Sequence, residues 1–142
     1  MKKQNKMIIK YAPTIVAASS FLLLLVLNML LFFGRKYDAL RPEFLLNNFA
    51  DFYQHVSNFS ISFSICTAIG FMWLMMGVPF RYIAAMCIAV IFFNAVYELF
   101  IPVLNTRDIT DAYYGIAGTL LAFVFLAVLH KRGLKQMPQP NT

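Results

Sequence analysis

Charge is what this sequence has least of. Only 13% of its 142 residues are Asp, Glu, Lys or Arg, while 61% are hydrophobic. Soluble domains carry about 25% charged and 45–50% apolar residues. That balance excludes an ordinary soluble domain and points to the membrane class. Cysteine is scarce as well. Cys66 and Cys87 each lie inside an apolar run with no ligand-like spacing around them. A disulfide framework and a thiolate metal site are thereby disfavoured, and both residues read as small apolar thiols in lipid or at a helix contact. The sequence has no His-Glu-x-x-His and no Gly-x-Ser-x-Gly, so two common hydrolase signatures are missing. Neither a cofactor nor a metal is expected from these patterns.

The middle of the chain also has little net charge. The formal net charge is +6, but it gathers at the ends: Lys2, Lys3, Lys6 and Lys10 at the start, Lys131, Arg132 and Lys135 at the finish. A basic face for nucleic acid is therefore not expected. Basic ends around apolar spans fit two cytoplasmic termini under the positive-inside rule. They also suit contact with anionic lipid headgroups.

Long apolar runs are what the chain does have. A bilayer core of about 30 Å takes about 20 apolar helical residues. Four runs qualify, at about 11–33, 56–78, 80–104 and 112–129. They predict an all-α membrane protein, a four-helix bundle forming a single domain over 1–142, multi-pass in the cell membrane. An even number of spans agrees with both ends on one side. Gly77, Val78, Pro79 and Phe80 predict a tight cytoplasmic turn between the second and third spans. Aromatic residues mark the interfaces: Tyr11, Trp73 and Tyr82 inside, Tyr37, Phe100 and Tyr113 outside. The first run is too long for a signal peptide and no small-x-small site follows it, so it reads as an uncleaved span.

By this count the segment 34–55 faces outward. Pro42 suits a first helical position. Phe44, Leu45, Asn48, Phe49, Phe52, Tyr53 and Val56 then recur at three- and four-residue steps. This predicts an extracytoplasmic amphipathic helix lying on the membrane surface, or else an outward extension of the second span.

Against this oily background the polar residues stand out. An ionisable side chain within the membrane costs at least about 2.5–3.5 kcal/mol on insertion scales. Glu98 lies about 9 Å of helix from the outer end of the third span. Asn94, Glu98 and Asn105 share one helical face. Arg107 follows in a short outer loop. Asp108 and Asp111 start the fourth span, where carboxylates accept free amide hydrogens. Gly115, Gly118 and Ala122 then form a small-residue face for close helix packing. Asp51 and His55, four apart, share a face before the second span, and Asn58, Ser60, Ser64 and Ala68 follow within it. Topology puts Asp51, His55, Asn58, Glu98, Arg107, Asp108 and Asp111 in one outer layer. That layer is either an ion-pair and capping network or a site for a lipid headgroup, a cell-wall precursor or an ion.

These residues resemble a known pattern. Glu98, then Arg107, Asp108 and Asp111, with Gly118 beyond, is similar to the VanZ-like family of small membrane proteins. In that family a third-span Glu precedes a short loop with Arg and an Asp-x-x-Asp start of the fourth span. Asp51 and His55 in "DFYQH" match its Asp with a His four residues later. The likeness covers about 51–118. Ile101, Gly115 and Phe52 stand where members often have Gln, Asn and Lys. The family's namesake is linked to low-level resistance to the glycopeptide teicoplanin. The resemblance implies a bacterial cell-envelope protein, with no catalytic mechanism attached. Three function classes follow. The first is a non-catalytic protein whose outer polar site binds a lipid-linked or cell-wall component, or a membrane protein partner, alongside membrane lipids. The second is an intramembrane enzyme acting on an envelope lipid through a carboxylate/His site. The third, a transporter or channel, fits least, because no inverted repeat or broken helix is evident.

Overall fold

The structure, a computed structural model, describes residues 9–100 and 108–138. Among them, four helices are long and apolar enough to cross a membrane. These are α1 (Ile15–Phe33), α3 (Phe52–Met76), α4 (Phe80–Phe100) and α5 (Ile109–Arg132); a short α2 (Glu43–Asn48) lies between the first two. The four run from 19 to 25 residues, about 28–38 Å at 1.5 Å per residue. Many of their apolar side chains face outward, including Leu22, Leu23, Val26, Ile88, Phe92, Val124 and Val128. In water that surface would be an aggregation hazard; in lipid it is the solvated face. The molecule is an all-α bundle of a multi-pass membrane protein.

The helix pair α3 and α5 forms its centre, with α4 leaning mainly on α5 and α1 on α3. The reason is side-chain size. On α5, Gly115, Gly118, Thr119 and Ala122 are all buried. A Cβ on Gly118 would sit 2.2 Å from the Phe59 carbonyl oxygen, so the two backbones are in direct contact there. Three apolar clusters stack along the bundle. At one end Ala17, Phe71, Leu74, Ile83, Leu126 and Leu129 pack together. Phe63, Cys66, Cys87 and Ala122 fill the middle, and Phe52, Tyr53 and Val56 close the far end.

The turn between α3 and α4 has the expected form. Gly77 takes φ of +74°, donating its N–H to Leu74, while Val78 donates to Trp73 at 2.9 Å. Two bonds of this kind close a helix end only when the residue after it adopts a left-handed conformation, which favours glycine.

The helix starts differ from the starts of the apolar runs in three places. The first span begins at Ile15, not at 11. Tyr11–Pro13 forms a strand, β1, antiparallel to β2 (Leu134–Gln136), with Tyr11 opposite Gln136. Thr14 then caps α1, its side chain accepting from the Ala17 N–H. The second span begins at Phe52 and the fourth at Ile109, each ahead of its apolar run: the second gains the outward extension given as one alternative, and the fourth starts with Asp108 as cap and Asp111 in its first turn, as those residue types lead one to expect. Residues 101–104, expected in the third span, lie outside the described residues.

The amphipathic helix expected after Pro42 is not one helix. α2 has six residues, none of them buried, and ends at Phe49 with φ −139° and ψ 72°. The remainder of the periodic pattern, from Phe52, is the first turn of α3. Phe52, Tyr53 and Val56 bury in the far-end cluster with Leu45 against them, while Phe44 and Phe49 stay exposed. Two short stretches with helical spacing had merged into one apparent period.

Candidate functional site

The far end of the bundle, away from the paired strands, gathers most of the polar side chains. His55 projects from the first turn of α3 and is 8% exposed. Its Nδ1 lies 2.9 Å from Asp111 Oδ1 and 3.7 Å from Asp108 Oδ2. Its Nε2 lies 4.0 Å from Asp51 Oδ2, one helical turn earlier. The Tyr114 ring stacks on the imidazole at 5.3 Å, and the Tyr114 hydroxyl donates to Asp51 Oδ1 at 3.3 Å. Ring stacking and carboxylates on both sides fix the plane of the histidine.

Asp108 is the cap of α5. Its Oδ1 accepts the Thr110 backbone N–H at 2.8 Å. That bond, with further help from the nearby His55, holds the Asp108 carboxyl below the usual aspartate range. The other oxygen, Oδ2, is the one turned to His55. Asp111, in the first turn of the same helix, gains from the positive end of the helix dipole.

Glu98 reaches this layer from α4. It is 4% exposed. Its Oε1 accepts from Asn58 Nδ2 at 3.1 Å, and its Oε2 has no hydrogen-bond partner among the described residues. One turn deeper, Asn94 donates to Ser62 at 3.2 Å. The Asn94 amide occupies the space that a side chain at Gly115 would need. The small-residue face of α5 therefore accommodates polar groups as well as helix backbone.

A cavity of about 260 Å³ opens at this layer, lined by Arg35, Gln54, His55, Ser57, Asn58, Asp108 and Asp111. Arg35 donates to Ser57 at 2.6 Å. Thus the structure brings Asp51, His55, Asn58, Glu98, Asp108 and Asp111 together, with Asn94 one turn below. Arg107, expected in the same layer, and Asn105 lie outside the described residues. Ser60 and Ser64 turn elsewhere: the Ser60 carbonyl and Ser64 hydroxyl both accept from Asn28 on α1.

Sequence reasoning did not single out Arg35, Ser57 or Tyr114. Tyr114 had a signal, since it lies three residues after Asp111 and so shares its helical face. Arg35 follows the C-terminal end of α1, where a lone cation carries no motif in sequence. The absence of ligand spacing also has a structural reason. His55, Asp108 and Asp111 each bring a ligand-type atom, all within 4.8 Å of one another. Yet His55 and Asp111 are 56 residues apart in the chain, too far for any local motif. In comparisons with known proteins, no family model, no curated protein and no solved structure matches this chain.

Proposed function

We propose that this chain is a VanZ-like protein of the bacterial cell envelope, non-catalytic, with both termini in the cytoplasm. Its far-end polar layer faces outward and binds a lipid-linked or cell-wall component. Through that contact it modulates susceptibility to teicoplanin-type glycopeptides. One observation carries the reading: buried His55 joins Asp108 and Asp111 around one polar cavity, and buried Glu98, from a different span, is hydrogen-bonded to Asn58 of the cavity wall. Ionisable groups buried in a membrane bundle are costly and commonly serve a function. Helix capping accounts for Asp108, whereas it gives no reason for Glu98, which lies late in α4.

The test is Glu98→Gln, nearly isosteric and neutral. Glycopeptide susceptibility is measured at matched membrane abundance. The expected outcome is lost phenotype with retained accumulation and melting. An unchanged phenotype at normal abundance overturns the reading and leaves the layer as packing.

A second reading has one specific support. The 2.9 Å contact of His55 Nδ1 with Asp111 is the geometry of a general acid–base pair. On that reading the protein is an intramembrane enzyme acting on an envelope lipid. His55→Gln then changes the envelope lipid profile of cells, a readout a purely binding protein does not move.

A further inference from the structure

Among the described residues the charges at this layer do not balance. Asp108 and Asp111 line the cavity with His55 and one cation, Arg35; two more carboxylates stand beside its wall, Asp51 next to His55 and Glu98 on Asn58. Arg35 donates to the neutral Ser57 hydroxyl and brings a single positive charge. Carboxylates crowded at low dielectric repel one another strongly. They are stable together when a cation lies between them.

From this arrangement we infer that His55, Asp108 and Asp111 form a binding site for one divalent transition-metal ion of the zinc or manganese class. The ligand atoms, His55 Nδ1, Asp108 Oδ2 and Asp111 Oδ1, lie within 4.8 Å of one another. Ligands about 2.0–2.1 Å from a tetrahedral ion stand about 3.3 Å apart. The Nδ1–Asp108 separation of 3.7 Å and the Nδ1–Asp111 separation of 2.9 Å bracket that value. Small side-chain shifts suffice to admit the ion.

A second observation is independent of this triad. Glu98 is buried on α4, its Oε1 held by Asn58 of the cavity wall and its Oε2 without a hydrogen-bond partner among the described residues. Asp111 and Asp108 are close enough for their charges to act on it. Among the described residues no cation lies against this carboxylate, and a dication supplies one.

The surroundings are those a metal site uses. Metal-bound histidines commonly pair their other nitrogen with a carboxylate. Here Asp51 lies beside His55 Nε2, and the Tyr114 hydroxyl fixes Asp51. Asp108 is oriented by its capping bond, which occupies one oxygen and leaves the other for an ion. The donor set, one imidazole and two carboxylates with no thiolate, suits zinc or manganese better than copper(I), and the nitrogen disfavours calcium and magnesium. Three protein ligands leave a coordination position open to the cavity, as in zinc sites that bind water or substrate. This inference does not depend on the envelope reading, because ion binding is measured without any cellular phenotype.

The experiment uses the full chain, free of any affinity tag, in detergent micelles. Co²⁺ is titrated and followed by its visible absorption, then displaced with Zn²⁺. One ion per chain is expected, with proton release on binding because the ligands must be deprotonated. Asp108→Asn is the decisive variant. Asn caps helices as well as Asp, so helical content stays unchanged while a charged ligand is lost. Affinity should fall at least tenfold, since even outer-shell changes at metal sites cost about 10–100-fold. Asp51→Asn, a positioning change, should lower affinity within that same range. No stoichiometric binding by the wild-type chain overturns the inference. So does binding that Asp108→Asn and His55→Gln both leave intact, which would place the ion elsewhere.

Discussion

Gly118 shows how a single residue sets the geometry of the site. Any side chain there meets the Phe59 backbone, which cannot swing aside as a side-chain tip can. Gly118→Ala must therefore push α3 and α5 apart, at about 1–3 kcal/mol for overpacking. Gly115→Ala is the informative contrast. Its Cβ would displace only the Asn94 amide, a movable group, at the loss of the Asn94–Ser62 bond. A lost interhelical bond in a membrane protein averages about 0.6 kcal/mol. Unfolding in mixed micelles should rank Gly118→Ala below Gly115→Ala. The reverse order would show that the backbone contact is not what holds the pair. The small-residue pattern on α5 was legible in sequence because three- and four-residue spacing defines a face. Its partner was not, because spacing says nothing about which helix lies opposite. The same limit applies to His55. Its four-residue relation to Asp51 is visible in sequence, but the shorter contact to Asp111 depends on how α3 and α5 pack.

For whole elements, sequence and structure agree best where one physical quantity decides. Hydropathy over about 20 residues decides a span, so α1, α3, α4 and α5 were all anticipated. Ends and short helices depend on tertiary partners instead. Tyr11–Pro13 left the first span because β2 was available to pair with it. The pattern after Pro42 broke because its second half buries in the core while its first half sends only Leu45 against it. Helix α1 is lightly held, with only Ala17 and Asn28 buried. A lone Asn in "FLLLLVLNMLLFF" carries no recognisable motif, and sequence reasoning passed over it. Its Nδ2 donates both to the Ser60 carbonyl at 3.1 Å and to Ser64 Oγ at 2.9 Å. Asn28→Ala should loosen the docking of α1 on α3 by about 0.6–1.7 kcal/mol, the range for membrane interhelical bonds. A crosslink between thiols on α1 and α3 would report it as slower formation. An unchanged rate would mean that α1 is held by apolar packing alone.

At the scale of the whole molecule, the paired ends constrain how it sits in a membrane. β1 and β2 join Tyr11–Pro13 and Leu134–Gln136 in one small sheet, and Lys10 donates its N–H to the Met75 carbonyl at the end of α3. The β1–β2 sheet and the Gly77 turn therefore occupy one face of the bundle, with α2 and the polar cavity toward the other. Lys10, Lys131, Arg132 and Lys135 lie toward the first face, and on the proposed reading, which follows the positive-inside rule, that face is cytoplasmic. The expected labelling pattern is then specific. Cys66 and Cys87 are buried, so they should contribute little background with a membrane-impermeant maleimide. Asn47→Cys, on exposed α2, should react in intact cells. Gln136→Cys, on β2, should react only after the membrane is opened. The opposite pattern would invert the molecule and turn the polar cavity toward the cytoplasm, which removes any direct contact with the cell wall. Reaction of both thiols in intact cells would be more damaging still. It would put α2 and β2 on one side, which four crossing helices and a terminal sheet at the opposite end of the bundle do not allow.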